Sequence, residues 1–513
     1  VLVKGPQVTS GYYGGREQPF RDGYLLTGDI GHLTEEGSLV LDGRKKELIK
    51  TSYGKFVNPL RMETALRDIP GVFEAMIVGE GRPFCAAMVW SEEGTSPDID
   101  ATVEMLNSHL SPPEQVKAWQ EASWLQDRAD PQGTGSTASA PVRRAPRILW
   151  RHAPKGQARA AGQVVAGKGL VFFGTASGTV HAIEAATGKE RWEHGEKGAI
   201  LASPALGREE GGDALYAVLA QTGTLVAYRA ASGERIYARE LGGPILGAPL
   251  LANGRIYLGS GGTALKRAPG ALYSVEASTG KRLWKRATGA RRHRTVKRVL
   301  FLAGVAARPA LSADGLIYAT SQDGFVHTLD GRTGRSRQRE MIERQAAYTP
   351  AIDGKIAFVH RRGQLFTLGQ RGKILGLLTR PPKPLGAGLG SPALTSERIY
   401  LAGDGALMAT NREASAPLWT YPLPEQTSEL RHSAPVVAGA GTPSETVFVL
   451  DTHGTLHAVD GSSGKALWTH ALGRPDPPVD PLRTAIQPAP ALLPGLLVLP
   501  APKGEVIALT GAR

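Results

Sequence analysis

The sequence predicts a multidomain chain: a small α+β unit followed by an all-β eight-bladed propeller. Three observations carry this expectation. At 513 residues the chain is too long for one core of ordinary size. Its rear holds a repeat of about 45 residues with four strand-like segments each, the signature of propeller blades. Charge also divides it: residues 1–119 hold twelve Lys and Arg against seventeen Asp and Glu, a net of −5, leaving +18 for the rest of a chain whose total is +13.

The front unit reads as short strands and helices. "GSLVLDGRKKELIKTSYGKFVNP" is a strand, a charged turn containing Gly, a second strand and a Gly turn, leading into a helix that starts near "NPLRMETAL". "AMIVGEGRPFCAAMVW" supplies two apolar strands about a Gly-Arg-Pro turn, and "IDATVEMLNSHL" reads as a helix. Cys85 is the only cysteine, which excludes an internal disulfide and a Cys-rich zinc cluster. No apolar run approaches the ~20 residues of a membrane span. "VLVKGPQV" has neither the pattern of a secretory signal nor an initiator Met, so a fragment or an unusual start codon is expected.

Motifs add what periodicity does not. Thr27, Gly28 and Asp29, "DGRKKELIK" at 42–50 and "SYGK" at 52–55 resemble the late motifs of the adenylate-forming enzymes, most closely long-chain acyl-CoA synthetases, and "SPPEQVKAW" at 111–119 resembles their closing helix. The resemblance implies that 1–42 is the tail of a large domain and 43–119 a truncated C-terminal domain. It also implies that Asp29 accepts from the ribose hydroxyls of a bound nucleotide, that Arg44 contacts the same ribose, that Asp42 is a hinge and that Gly54 lines the coenzyme A path. The family's phosphate loop and acyl pocket are not in this chain. The family's catalytic Lys follows the closing helix, but residues 120–146 contain no Lys, and Lys155 lies too far on. No catalytic residue is therefore assigned; ATP, Mg and coenzyme A are expected only with a complete adenylating domain.

Residues 120–147, rich in Gly, Ser, Thr, Ala and Pro, read as a flexible linker. The propeller is expected over 148–513. Its clearest repeats are "GTVHAIEAATGKERW", "GALYSVEASTGKRLW" and "GTLHAVDGSSGKALW" at 178, 270 and 454. Ala/Ser-Pro segments such as "ASPAL" and "GAPLL" precede each first strand. The alternating third strand occurs eight times: "TVHAIE", "TLVAY", "ALYSV", "FVHTL", "QLFTL", "ALMAT", "TLHAV" and "EVIAL". The last copy lacks its outer strand, while "RILW" at 147–150 stands alone before the first. Pairing Ile148–Trp150 with the C-terminal strands would complete one blade and close the ring.

The Asp-x-x-Thr-Gly-Lys-x-x-Trp pattern resembles quinoprotein-type (PQQ-like repeat) propellers, which include quinone-dependent dehydrogenases and a periplasmic factor in outer-membrane protein assembly. That fold implies that Trp150, Trp192, Trp284, Trp419 and Trp468 dock neighbouring blades. The dehydrogenases place adjacent cysteines and a carboxylate-held calcium at the quinone; the propeller region has no Cys, so pyrroloquinoline quinone is not expected. His181, His327 and His457 share one repeat position in separate blades, and no metal is expected from them. The basic run "KRATGARRHRTVKR" lacks interleaved aromatics, and nucleic acid is not expected as a partner. The expectation is a monomeric, noncatalytic scaffold binding a protein through propeller loops, in the cytoplasm or, by analogy with the propellers, the periplasm. Two alternatives stand beside it: the rear of a longer ATP-dependent acyl-CoA ligase, and two unrelated genes joined by an assembly or frame error.

Overall fold

The computed structural model describes residues 2–511 apart from a set of segments, the longest being 9–19, 79–84, 92–98, 262–269, 289–303, 378–389 and 475–484. Gly54 and most of the basic run lie outside the described residues. The chain divides into two compact units, Val1–Ala122 and Ser123–Arg513.

In the first unit, helix α1 (Pro59–Arg67) begins where the Asn58 side chain accepts from the Leu60 N–H, with Pro59 in the first turn, where its missing N–H costs nothing. It buries Met62 and Leu66 against the strand Val72–Val78, whose Ile77 N–H donates to Glu63 at 2.9 Å. That strand runs antiparallel to Cys85–Ser91. Helix α2 (Ile99–Ser108) then returns the chain, and the expected closing helix at 111–119 is replaced. A turn at Ser111 leads into a strand, Val116–Glu121, parallel to Cys85–Ser91. The reason is local: Asn107 at the end of α2 both accepts from and donates to the backbone of Val116 at 2.8 Å, aligning it with an open sheet edge that satisfies the following peptide groups. Cys85 sits fully buried in this core, and burial pushes its thiol above its ordinary value.

The second unit holds eight four-stranded antiparallel sheets among the described residues. Their innermost strands are Ala160–Gly167, Ala205–Glu209, Leu250–Ala252, Ala310–Leu311, Ala351–Asp353, Ala393–Leu394, Val436–Ala438 and Ala491–Leu493. Third strands such as Thr179–Glu184 and Thr224–Arg229 are buried along both faces, because another sheet covers each side of a pleat whose alternate residues would otherwise face water. The eighth sheet takes strands from both ends of the unit: Pro146–His152 pairs with Val506–Gly511, with Ile148 opposite Leu509 and Trp150 opposite Ala508. The innermost strands of the eighth and first sheets also touch.

Tryptophans carry several of the outer strands to the next sheet. Trp150, Trp192, Trp284 and Trp419 donate Nε1–H to the carbonyls of Ala185, Ala230, Gly331 and Gly461 at 2.8–3.0 Å. Tyr237 makes the same connection to Ala277 through its hydroxyl, and Trp468 reaches Val142. The repeat's Thr-Gly or Ser-Gly turn has to be glycine for two reasons. Gly188 has φ +71°, and a Cβ there would lie 2.7 Å from the Trp150 ring; Gly464 meets Trp419 likewise.

Candidate functional site

Two places gather the chemistry. In the first unit the strands Asp29–Leu33 and Leu39–Arg44 form a hairpin in which Asp29 lies directly opposite Arg44. The register slips between Ile30 and Gly31, skipping Asp42, which is therefore the extra residue of a bulge, a feature that bends a strand and re-aims its side chains. Asp29 is half-buried, and its N–H donates to Thr27 Oγ1 at 3.1 Å. The side chains of Asp42 and Arg44 lie outside the described residues. Lys55 of "SYGK" holds Ser111 Oγ at 2.8 Å and Glu114 at 3.0 Å; burial works against the Glu114 carboxylate, but the bonds from Ser111 and Lys55 outweigh it and hold its pKa below the ordinary value.

The second place overturns the expected flexible linker. From Ser123 the chain belongs to the sheet unit and runs as an arc along the innermost strands, in the order of the sheets. Trp124, fully buried, exchanges two backbone bonds with Ala166 of the first sheet. The Leu125 carbonyl then accepts from Leu206 of the second, and the Gln126 side chain pairs with the Leu251 backbone of the third. The carbonyls of Pro131, Gln132, Thr134 and Gly135 accept from Leu311, Ile352, Leu394 and Val437 of the fourth to seventh.

Composition misled here because the small residues are needed for crowding, not for freedom. Gly135 has φ +64°, and a Cβ on it would stand 2.1 Å from the Arg128 guanidinium. That guanidinium is buried and donates to the carbonyls of Pro392 and Pro435 at 2.6 and 2.7 Å. Arg308, also buried, donates to Gln126 Oε1 and the Asp130 carbonyl. Burial, abetted by the Arg308 charge, pulls Arg128 down to about 10, while Asp127 and Asp130 pull the other way. The arc therefore takes up at least one backbone group on the innermost strand of each of seven sheets.

The three aligned histidines have different surroundings. His457 Nε2 meets Asp451 at 3.0 Å and its Nδ1 meets the Tyr421 hydroxyl at 3.1 Å. His327 is buried in the fourth sheet. His181 lies instead beside His152 and Glu190, with one ligand-capable atom of each inside a 4.8 Å span, a grouping that comparison along the repeat missed because His152 precedes the first repeat. Lys155 bonds Glu190 and Glu193, both at 3.2 Å, and takes no part in the front unit.

Comparison with known proteins accounts for both units. The family model described as AMP-binding enzyme C-terminal domain matches residues 46–118. A long-chain-fatty-acid–CoA ligase of Mycobacterium tuberculosis is 34% identical over 145 residues, covering 23% of this chain and 24% of the ligase. A ligase of Bacillus subtilis is 32% identical over 127 residues, covering 23% and 22%. The chain thus spans about a quarter of the length of these relatives. Among solved structures, BamB from Moraxella catarrhalis superposes with a TM-score of 0.52 at 15% identity, covering 71% of this chain and 100% of that one. Quinohemoprotein alcohol dehydrogenase from Comamonas testosteroni superposes at 0.56 and 14% identity, covering 76% and 81%. The second unit therefore has the propeller fold, and three overlapping matches at 137–371, 268–444 and 369–512 show that the chain belongs to the PQQ-like repeat family described as outer membrane protein assembly factor BamB.

Proposed function

We propose that the eight sheets are the blades of one ring, closed by Pro146–His152, and that this ring is a noncatalytic scaffold that binds a protein through its loops. The arc carries this reading. Hydrogen-bonding groups at the inner edge of seven sheets are taken up by residues 124–135, so the surface left for recognition is the loops and outer strands. The absence of cysteine after Cys85 points the same way, against the quinone chemistry of the dehydrogenase relatives. No quinone or metal cofactor is assigned to that scaffold role. The chain acts as a monomer with a protein partner, not nucleic acid. Its compartment is the cytoplasm if the nucleotide motifs rule, or the periplasm if the assembly-factor likeness does; among the described residues no helix is long and apolar enough to cross a membrane.

A photo-crosslinking residue placed in cells at the exposed loop positions Leu201 or Ser444 is expected to give a discrete protein adduct. In parallel, purified protein supplied with pyrroloquinoline quinone, calcium and a primary alcohol should reduce no dye. Dye reduction, or no discrete adduct at either position, overturns the reading.

The facing of Asp29 and Arg44 favours a second reading, in which this is the rear of a longer acyl-CoA ligase using ATP, Mg and coenzyme A. On the scaffold reading the present chain releases no pyrophosphate when given ATP and a fatty acid. Release that depends on the fatty acid and is lost in Asp29→Ala would establish the ligase instead.

A further inference from the structure

At the seam where the closing strand meets the first sheet, three side chains from separate strands converge. His152 ends the strand Pro146–His152, His181 lies in Thr179–Glu184 and Glu190 opens Glu190–Gly195. His152 Nδ1 lies 3.2 Å from the Gly188 carbonyl, which only accepts, so Nδ1 is the donor there and Nε2 is the nitrogen left to serve as a ligand. That Nε2 is buried, makes no hydrogen bond and stands 3.8 Å from Glu190 Oε2. His181, with its side chain 1% exposed, bonds Thr179 Oγ1 through Nε2 at 2.9 Å and turns Nδ1 toward the same Glu190 oxygen at 3.3 Å. The other carboxylate oxygen is held by Lys155 at 3.2 Å.

The chemistry of the cluster is that of acceptors. With the His181 proton on Nε2, toward Thr179 Oγ1, its Nδ1 offers a lone pair beside the Glu190 oxygen and His152 Nε2, and a cation between the three would satisfy all of them. Phe173 stacks on the His181 ring with centroids 4.8 Å apart and meets His152 edge-on, fixing both rings. Ligands about 2.0–2.1 Å from a tetrahedral ion lie roughly 3.3 Å apart; the His181–Glu190 separation of 3.3 Å matches that, and the His152–Glu190 separation of 3.8 Å would have to shorten on binding.

We propose that His152, His181 and Glu190 bind a divalent transition-metal ion of the zinc class, which pins the closing strand to the first sheet. The donor set of two imidazoles and one carboxylate suits zinc and leaves a fourth position for water. Nδ1–H of His152 on a backbone carbonyl is the outer-shell bond that orients a ligating histidine. The metal would act as a clasp across the seam, independently of the partner that the loops recognise.

The test uses the full chain, stripped with a chelator and titrated with Zn2+ alone, with Co2+ as a spectroscopic probe. One zinc per chain, visible Co2+ bands of tetrahedral intensity and a rise in the unfolding midpoint on zinc addition are expected. His152→Gln and Glu190→Gln, checked for folding by circular dichroism, should each lose the bound metal and the midpoint shift, whereas His194→Gln, away from the cluster, should keep both. Failure of the full chain to take up zinc, or undiminished uptake in the folded His152 and Glu190 variants, overturns the site; in the first case the three residues form an ion-pair cluster only.

Discussion

The eight sheets and the arc that runs along them belong to one compact unit, yet they are encoded in opposite ways. A sheet is specified by repetition: an apolar third strand, a Gly turn with positive φ and an aromatic that reaches the next sheet recur along the chain. The arc is specified once. Trp124, Leu125, Gln126 and the carbonyls of Pro131, Gln132, Thr134 and Gly135 each meet a different sheet, and Arg128 reaches the backbone beside the sixth and seventh. Repeats therefore set up nearest-neighbour contacts, while a single nonrepeating segment ties distant sheets together.

Removing that segment should have the largest effect. A chain starting at Ser123 is expected to unfold at the same midpoint as the sheet unit of the full chain. A chain starting at Arg144 loses the arc, exposing the site of Trp124 and leaving Arg308 buried without its Asp130 and Gln126 partners. It should unfold far below or fail to fold, a loss exceeding that of any single substitution, since truncating one buried Trp alone costs about 3–5 kcal/mol. Equal midpoints in thermal unfolding of the two chains would show the arc to be an ornament on a self-sufficient set of sheets.

Next in size is the seam between the eighth and first sheets. Trp150→Ala removes a nearly buried ring and its bond to Ala185, for an expected cost of about 3–5 kcal/mol. Gly188→Ala attacks the same contact from the other side, by strain at φ +71° and overlap with that ring, at about 1–3 kcal/mol. Because the two residues touch, the double variant should cost less than the sum of the single ones. Full additivity in denaturant unfolding would mean that the turn and the tryptophan act separately.

The same contrast explains what could be read in the sequence. The sheets and the split eighth repeat were legible, because "ALTGAR" lacks an outer strand and "RILW" lacks the rest. Tyr237 fits the aromatic position in "RIY", though only the structure shows its hydroxyl doing what an indole N–H does elsewhere. The arc was illegible because the sequence "GTGST" has the composition of a free connector, and only the crowding around Gly135 explains it. At 111–119 the segment's likeness to a helix lost to an open strand edge and the Asn107 bonds. In the front unit, motif order located Asp29 and Arg44, but their facing depended on a bulge that the sequence does not announce. The histidine cluster escaped notice because a search in register compares His181 with His327 and His457, whereas its neighbour His152 belongs to the closing strand.

The smallest expected effect separates repeated from unrepeated contacts by acid. Asp330 and Asp460 occupy one repeat position and cap the same turn. Bonds from Thr333, helped by Arg337 of its own sheet, bring Asp330 to about 2 against a minor opposing burial. At Asp460 burial opposes ionisation more strongly, but Ser462, Ser463 and Arg143 at 2.7 Å together hold the carboxyl well below the ordinary carboxylate range. Arg143 lies between the arc and the strand Pro146–His152, so of the two aspartates only Asp460 bonds the nonrepeating segment. With folded pKa values depressed below an unfolded value near 3.9, both groups stabilise above about pH 4, and that stability is lost as pH falls through the folded values. Asp460→Asn should therefore cost about 1–2 kcal/mol at pH 7 and flatten the acid limb of the stability curve. Asp330→Asn, whose side chain is more exposed, should cost about 1 kcal/mol or less. Adding Arg143→Met sharpens the comparison: it should leave the Asp330→Asn cost unchanged and shrink that of Asp460→Asn. Urea unfolding between pH 3 and 7 measures both, and an Arg143→Met background that leaves the Asp460→Asn cost untouched would dissolve the distinction between the two aspartates.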